Sequence, residues 1–292
     1  YENETFDYVF TPPDAGTFWY HPHCNTLEQM SYGLTGLLIV DEKKPQDFDE
    51  DISLNLRDWR LNSEGQFIKL YKARKSARAG TFGTVKTANW SENPVYEVPS
   101  GGIVRLRAAV TDVTRIFKLM TTGAKATVIA LDGYPVPKHF ELDHQAVGPG
   151  QRIDLAIRMP DEEGKEVELI NTSASKSWTV ATLKTKGASL KRDIRDLKPL
   201  PRNPVTIPDL KNAEYIPFEF TATAESAPKN GFCGTIGFSF WAINRKSWLG
   251  VSPDPMEPLA NLKLGKNYIF SFRNRTPHTH PIHLHGLSFT LL

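Results

Sequence analysis

The sequence predicts an all-β protein, because short apolar segments recur along the chain and turn residues interrupt them. Gly occurs 20 times and Pro 21 times among the 292 residues. Turn signals such as Asp132-Gly133 and Gly148-Pro149-Gly150 separate the segments. Regular short strands between such turns are typical of a β-sandwich or a β-barrel. The predicted strands of this middle region are 95–98, 103–109, 115–120, 126–131 and 152–159.

The first 48 residues predict a smaller set of elements. Within 2–11 the aromatic residues Phe6, Tyr8 and Phe10 fall at every second position, which predicts an antiparallel strand. The segments that follow predict a turn at 12–16, a strand carrying two histidines at 16–24 and one or two helical turns at 25–32. A further strand is predicted at 34–40 and a charged linker at 41–47.

Two charged, proline-containing segments divide the chain into three predicted units. The first is 41–47, and the second is 189–210, which suits an exposed connection with a helical turn near 192–197. A new strand pattern opens at 51–59 after the first segment, and strand patterns resume at 215–220, 238–244 and 264–274 after the second. We therefore predict units at 1–48, 49–205 and 206–292.

Composition and charge narrow the classes of partner. A hydrophobic fraction of 40% is typical of a globular chain that can bury substantial cores. The formal net charge of +2 gives no field that would favour nucleic acid or an anionic membrane surface as a partner. No apolar run approaches the length of a membrane span. The sequence does not specify an oligomeric state.

The stretch 276–286, Thr-Pro-His-Thr-His-Pro-Ile-His-Leu-His-Gly, holds four of the eight histidines. On a strand, His283 and His285 would leave the same face roughly 6.6 Å apart, a spacing that suits two adjacent metal ions. His280 would project from the other face, ahead of Pro281 at the entrance of the strand. One short segment can therefore serve two metal centres.

A second histidine pair lies about 260 residues earlier, in Gly16-Thr-Phe-Trp-Tyr-His-Pro-His-Cys24. His21 and His23 again share a face of a predicted strand. Imidazole is a preferred ligand of copper, zinc, iron and nickel. Two such pairs predict a polynuclear metal site, in which His21/His23 face His283/His285 across a boundary between units.

The motifs Trp-Tyr-His-Pro-His and His-Pro-Ile-His-Leu-His-Gly together resemble the second and third copper-binding signatures of the multicopper oxidases, a family that includes laccases. The segments 104–107, 128–135 and 148–155 are similar to the middle domain of its three-domain members. The resemblance implies tandem cupredoxin-like domains, which are Greek-key β-sandwiches. The units 1–48, 49–205 and 206–292 would then be the end of domain 1, domain 2 and a truncated domain 3.

The resemblance also implies copper as the cofactor and a role for each motif histidine. His280 corresponds to a type 1 copper ligand and His283 to a type 2 ligand. The type 3 ligands would be His21, His23 and His285. His278 has no role in the family pattern.

By resemblance, the function is a laccase-like oxidase that couples one-electron oxidation of a small reducing substrate to four-electron reduction of O2 to water. The donor classes are phenols, aromatic amines and metal ions such as Cu(I) or Mn(II). Only four methionines occur, so the Met-rich insert of cuprous oxidases is not in this sequence, which favours the organic donors. The alternative is a copper-binding or assembly protein of the same fold without turnover.

Further expectations follow from the same resemblance. An earlier His-x-His pair and a later His-Cys-His segment of the family pattern are not in this sequence, so we expect a fragment that is inactive alone. We also expect export, to the periplasm in a Gram-negative source.

His139 and His144 are predicted to be surface histidines of a polar loop. Cys24 and Cys233 are predicted to be small buried thiols, with a disulfide as the minor alternative, and Trp19 to be core packing.

Overall fold

The computed structural model describes residues 4–44, 46–70, 72, 75, 80–174, 176–221, 241–246, 257–284 and 286–292. These residues form β-sheets joined by loops and a few short helical turns, which confirms the all-β prediction. The helical turns predicted near 25–32 and 192–197 are present as α1 (Thr26–Ser31) and a 3-10 turn, Ile194–Asp196. None of the described helices has the length and apolar character needed to cross a membrane.

At the N-terminal end, a two-stranded antiparallel ribbon flanks α1. It consists of β1 (Gly16–Tyr20) and β2 (Gly36–Val40), with Gly16 opposite Val40 and Tyr20 opposite Gly36. The strand predicted at 2–11 is wrong for the described residues 4–11, which lie in no strand and are exposed. Alternation of aromatic residues fits a strand, but a strand forms only where a neighbour accepts and donates its backbone hydrogen bonds.

The middle of the chain forms two larger sheets. The strands predicted there from sequence are present, with bounds that differ by at most two residues, and the structure adds strands that were not predicted. In chain order they are β3 (Glu50–Trp59), β4 (Val85–Ala88), β5 (Val95–Pro99), β6 (Ile103–Val110), β7 (Phe117–Thr122), β8 (Ala126–Leu131), β9 (Tyr134–Glu141), β10 (Gln145–Val147), β11 (Arg152–Arg158), β12 (Glu166–Asn171) and β13 (Trp178–Lys186).

These strands build a sandwich with its core between the sheets. The six-stranded sheet has the order β4-β3-β6-β11-β8-β9, and the five-stranded sheet has the order β10-β7-β12-β13-β5. β3 pairs with β6, and β5 with β13, in parallel, while the remaining neighbours are antiparallel. Leu106 and Leu155 from one sheet meet Leu119 and Leu169 from the other in a continuous apolar cluster. Each such side chain contributes roughly 1.5–3 kcal/mol by leaving water.

The outer face of the six-stranded sheet is covered by two other parts of the chain. β1 packs against β6 and β11. The segment 194–200 adds Leu200, which is buried against Ile103, Ile129 and Ala156. The linker predicted at 189–210 is therefore only partly exposed, because its apolar residues cover a sheet face that would otherwise be wet.

The last described sheet has the order β15-β14-β16, formed by β14 (Glu214–Thr221), β15 (Ala242–Ile243) and β16 (Tyr268–Asn274). β14 and β16 are parallel, and Phe218 stacks on Phe272 at 5.5 Å between ring centroids. The strand predicted for the histidine stretch is wrong for its described residues, since none of 275–284 and 286–292 lies in a strand. Apolar residues alternate along this segment, but a strand forms only where a neighbouring strand pairs with it.

Candidate metal centre

β1 carries the first histidine motif and is fixed to the middle sandwich by polar contacts of Thr17. The Thr17 hydroxyl donates to Oδ1 of Asp154 at 2.7 Å and accepts from Arg107 at 3.2 Å. Its carbonyl oxygen accepts from Nε of Arg152 at 3.1 Å. All of these side chains are buried or half-buried, so the strand that leads to the histidines has a defined position on the sheet.

His21 and His23 follow directly after the end of β1. Their rings stack with centroids 5.2 Å apart and an angle of 16° between planes. Trp19 stacks on the other side of His21 at 4.6 Å. Nδ1 of His21 donates to the carbonyl oxygen of Pro22 at 3.1 Å, which places the lone pair on Nε2. The two imidazoles therefore share one side of the segment, as the motif predicts.

The second motif begins in a turn after β16. Nδ2 of Asn274 donates to the carbonyl oxygen of His278 at 2.6 Å, and the Thr276 hydroxyl donates to the same oxygen at 3.3 Å. His278 is thus part of this turn, through its backbone. The turn sends the following residues back towards the middle sandwich.

His280 lies in an aromatic pocket between Phe220 and Trp241, at 4.9 and 4.6 Å between ring centroids. Burial lowers the pKa of His280, and the hydrogen bond that Nδ1 donates to the Pro281 carbonyl at 2.6 Å opposes that effect. The neutral ring is the form that a metal ligand requires.

The two motifs meet at the glycine loop 148–150 of the middle sandwich. A methyl group added to Gly150 would lie 3.0 Å from Cζ2 of Trp19 and 3.9 Å from Nδ1 of His283. A methyl group on Gly148 would lie 2.9 Å from Cγ of Pro281. Residues separated by more than 260 positions therefore pack against one short loop.

A hydrogen-bonded bridge supports the same junction from the side. The hydroxyl of Tyr134 donates to Oδ2 of Asp14 at 3.0 Å and lies 3.0 Å from the hydroxyl of Ser288. Tyr134 thus joins residues from both ends of the chain. From the sequence, Gly148-Pro149-Gly150 is recognisable only as a turn and Tyr134 carries no functional signal, because the residues that contact them are distant in the chain.

The donor types present fit a copper centre, although the described residues hold only part of a ligand set. His21 and His23 present paired imidazoles, and His283 lies nearby against Gly150. His285 lies outside the described residues. Within the described ranges, no three His, Cys, Asp or Glu side chains are grouped so that they could hold a metal ion.

The other candidate residues lie apart from this junction. His139 is half-buried on β9 rather than in a loop, and His144 is exposed with Nδ1 2.9 Å from the hydroxyl of Thr172. Cys24 is an exposed free thiol, so the prediction of a buried one is wrong. It lies in an exposed turn at 24–25, where apolar side chains do not cover it. Cys233 lies outside the described residues.

Comparison with known proteins gives a consistent family assignment. Family models described as multicopper oxidase match residues 2–45 and 225–292. The crystal structure of a multicopper oxidase from Pseudomonas thermotolerans superposes with a TM-score of 0.82 at 38% identity, over 96% of this chain and 64% of that one.

Curated sequence relatives agree. A multicopper oxidase, MmcO, from Mycobacterium tuberculosis is 24% identical over 98% of this chain and 60% of its own length. A laccase from Bacillus subtilis is 25% identical over 94% of this chain and 55% of its own length. The chain thus spans a little over half of these relatives. Its sandwich architecture, its two histidine motifs and these matches show that the chain belongs to the multicopper oxidase family, whose members are copper oxidoreductases with cupredoxin-like domains.

Proposed function

We propose that this chain is part of a laccase-like oxidase that oxidises a small reducing substrate by one-electron steps and reduces O2 to water. The observation that carries the proposal is the packing of Trp19 and His283 against the same residue, Gly150. Trp19 in turn stacks on His21. Both histidine motifs are thereby directed to one junction, which is what a shared metal cluster requires.

The residues proposed to hold copper are those of the two motifs. His21, His23 and His285 would be type 3 ligands, His283 the type 2 ligand and His280 the type 1 ligand. Bound copper would supply reversible one-electron chemistry and open positions for dioxygen. His280 contacts the rings of Phe220 and Trp241, and these apolar surroundings would suit an electron-accepting site.

A hydrogen bond, ring stacking and burial within the chain favour metal binding by His21 and His280. The hydrogen bond from Nδ1 of His21 to Pro22 orients the imidazole and leaves Nε2 as the donor atom. Stacking between Trp19 and His21 restricts the ring's rotation. Burial lowers the pKa of His280, which favours the neutral ring that a metal ligand requires.

Copper binding tests the assignment directly. We expect His21→Ala and His283→Ala to lower the copper bound per chain and to change the Cu(II) electron paramagnetic resonance spectrum. His144→Ala is the control, because His144 is exposed, as His283 is, and lies outside both motifs. Equal losses in all three variants would contradict the assignment of the motif histidines.

Oxygen uptake separates an oxidase from a copper-binding or assembly protein of the same fold. The full-length protein, loaded with copper, should consume O2 with 2,6-dimethoxyphenol or p-phenylenediamine as donor. Cu(I) and Mn(II) salts test the metal-ion donors in the same assay. Stoichiometric copper binding with no O2 uptake from any of these donors would favour the assembly protein.

We also propose that the protein acts outside the cytoplasm, in the periplasm of a Gram-negative source. The proposal rests on the resemblance to exported copper oxidases. Fractionation of cells that express the full-length protein checks it, with a cytosolic and a periplasmic marker enzyme as controls. Recovery of the protein and its copper only with the cytosolic marker would overturn the proposal.

A further inference from the structure

The second histidine motif leads into a segment that few contacts hold in place. The described residues 286–292 lie in no strand, and Leu287 and Phe289 among them are exposed. Within these residues, Ser288 makes the one hydrogen bond to another part of the chain, between its hydroxyl and that of Tyr134 at 3.0 Å. No ladder of backbone hydrogen bonds restricts this segment, so its position depends strongly on that contact.

Tyr134 itself has a fixed place relative to the first histidine motif. It begins β9 directly after the turn at Asp132-Gly133, and this turn packs on β1. A methyl group added to Gly16 would overlap the carbonyl oxygen of Gly133, and one added to Gly133 would lie 2.8 Å from the ring of Phe18. The backbones of the turn and the strand therefore touch, and β1 leads directly to His21.

The two hydrogen bonds of the Tyr134 hydroxyl have a defined direction. A phenol has one proton, and an ionised carboxylate can only accept. The Tyr134 hydroxyl therefore donates its proton to Oδ2 of Asp14, at 3.0 Å. The Ser288 hydroxyl is then the donor in the other bond. A hydrogen-bond chain thus runs from Ser288 through Tyr134 to Asp14, with one member in each of the predicted units.

The two partners have opposite effects on the ionisation of Tyr134. Burial raises the pKa of Tyr134, the hydrogen bond with Ser288 lowers it, and the hydrogen bond to Asp14 raises it. Ser288 stabilises the phenolate as a donor, whereas Asp14 stabilises the neutral phenol as an acceptor. Loss of one partner should therefore shift the pKa of Tyr134 in the opposite direction to loss of the other.

We propose that Tyr134 is a positioning residue of the metal centre, which sets where the second histidine motif lies relative to the first. It does so through its hydrogen bonds with Ser288 and Asp14. The glycine loop 148–150 contacts the second motif at Pro281 and His283, and Tyr134 contacts it at Ser288, five residues after His283. The motif is thus held at both ends. This inference rests on the proposed copper centre.

Copper binding by Tyr134→Phe and Ser288→Ala tests the positioning role. Each variant should lower the affinity for Cu(II) about fivefold, the change expected for one net hydrogen bond, and should alter the Cu(II) electron paramagnetic resonance spectrum. The double variant should lose no more than Tyr134→Phe alone, because the bond to Ser288 is already absent from it.

Tyr96→Phe is the matched control for these variants. The Tyr96 hydroxyl is also half-buried and accepts a hydrogen bond from Asn89 at 3.1 Å, but Tyr96 lies on β5, at the edge of the five-stranded sheet. Its loss should leave the Cu(II) affinity and spectrum unchanged. An unchanged affinity in Tyr134→Phe, or an equal loss in Tyr96→Phe, would overturn the proposal.

Alkaline titration of Tyr134 tests the hydrogen-bond chain without copper. In a protein with 13C-labelled tyrosine, the signal of Tyr134 is the one absent from Tyr134→Phe. Asp14→Ala should lower the pKa of Tyr134 and Ser288→Ala should raise it. Shifts in the same direction, or no shifts, would overturn the hydrogen-bond chain.

The two experiments separate this inference from the proposed function. A wild-type chain that binds no copper would contradict the proposed function and the positioning role together, whatever the titration shows. Copper binding by the wild type, with the expected titration shifts but an unchanged affinity in Tyr134→Phe, would contradict only the positioning role.

Discussion

Gly150 lies where Trp19 and His283 come together, so a side chain at this position would press on both rings. Its backbone φ of +78° is a second reason why glycine is favoured there. Any side chain at this position meets the indole ring first and the imidazole next. Gly148 has no such backbone demand, since its φ is not positive, but a side chain there would press on Pro281. Small changes at these two positions should therefore be transmitted to the motif histidines.

Gly150→Ala and Gly164→Ala separate steric contact from backbone strain. Both glycines have a φ of +78°, but nothing lies within 4 Å of a methyl group at Gly164. Each substitution should cost about 1 kcal/mol for the left-handed conformation. Only Gly150→Ala should also lower the affinity for Cu(II) and change its electron paramagnetic resonance spectrum. Identical spectra for the two variants would mean that Gly150 does not position a ligand.

The motif histidines could be identified from the sequence, but the residues that support them could not. A histidine pair such as His21 and His23 is visible within three positions. The contact between Gly150 and His283 joins residues more than 130 positions apart, and no local pattern records it. Cys24 shows the same limit, because its exposure depends on which side chains the fold brings over it.

β1 is held by buried charges rather than by apolar packing alone. Arg105 pairs with Asp154 at 2.7 Å and with Glu42 at 2.8 Å, and Arg107 pairs with Asp51 at 2.7 Å. Both arginines point away from the core of the sandwich and lie beneath β1. Such pairs contribute little net stability relative to apolar residues, but removing one partner leaves an uncompensated buried charge.

Asp154→Ala should therefore strongly destabilise the fold. Asp154 is 1% exposed and contacts Arg105, Arg107 and Thr17. We expect a loss of roughly 3–5 kcal/mol in the free energy of unfolding, measured by urea titration. The matched control is Lys125→Ala, which breaks an exposed pair with Glu141 at 2.8 Å and should cost under about 1 kcal/mol. Similar losses for the two variants would refute the view that the network fixes β1.

Asp58, at the end of β3, should make stability fall as pH rises. Burial raises the pKa of Asp58 above its ordinary value of 3.8, and the charge of Asp112 adds to that effect. The folded state then holds a proton that the unfolded state releases between 3.8 and the raised pKa. The contribution of this proton to the free energy of unfolding is fully present below pH 3.8, and it is lost as the pH rises from 3.8 through the raised pKa. Asp58→Asn should gain stability relative to the wild type across the same window, as urea titrations at several pH values would show.

Asp193 provides a control of opposite sign for this pH dependence. Its hydrogen bonds from Arg195 lower the pKa of Asp193 to about 2. The stability that it contributes is present above pH 3.8 and is lost as pH falls towards 2. Asp193→Asn should therefore lose stability relative to the wild type as pH rises from 2 to 4. A slope of the same sign for the Asp58 and Asp193 variants would contradict the pKa shift of one of the two residues.

Side-chain periodicity correctly predicted the strands that pair with neighbouring strands, and it also predicted strands in segments where none forms. β6 and β8 were predicted within a residue, because both faces of each strand are covered and the apolar pattern is strong. The strands predicted at 2–11 and in the histidine stretch share that pattern, but none of the described residues of these two segments lies in a strand. Pairing is a property of two segments, so the alternation within one segment could not decide it.

The whole molecule is organised around the middle sandwich, which both ends of the chain contact on the same side. The ribbon β1–β2 covers its outer face, and the second motif reaches its loops at Gly148 and Gly150. The segment after β13 completes this arrangement. Its Leu200 packs on the sheet, and its Asn203 reaches back to the start of β1. Predicted as a linker, this segment also serves as a tie between units.

Asn203 should control how firmly the N-terminal ribbon is held. Its side chain accepts from the backbone N–H of Ala15 at 3.0 Å and donates to the Ala15 carbonyl at 2.8 Å, so it imitates a paired strand. Asn203→Ala removes both hydrogen bonds and leaves Leu200 in place, at a cost of about 1–3 kcal/mol for the two backbone groups. Because the loss is local to β1, we expect faster amide exchange in 15–20 and faster proteolysis in 4–15. Exchange in β6 and β11, at the centre of the sandwich, should be unchanged.

Leu200→Ala is the contrasting variant, since the cavity that it leaves on the sheet should lower protection in β6 and β11 as well. Uniformly faster exchange in Asn203→Ala would show that the ribbon and the sandwich unfold together, and that Asn203 is not a local tie.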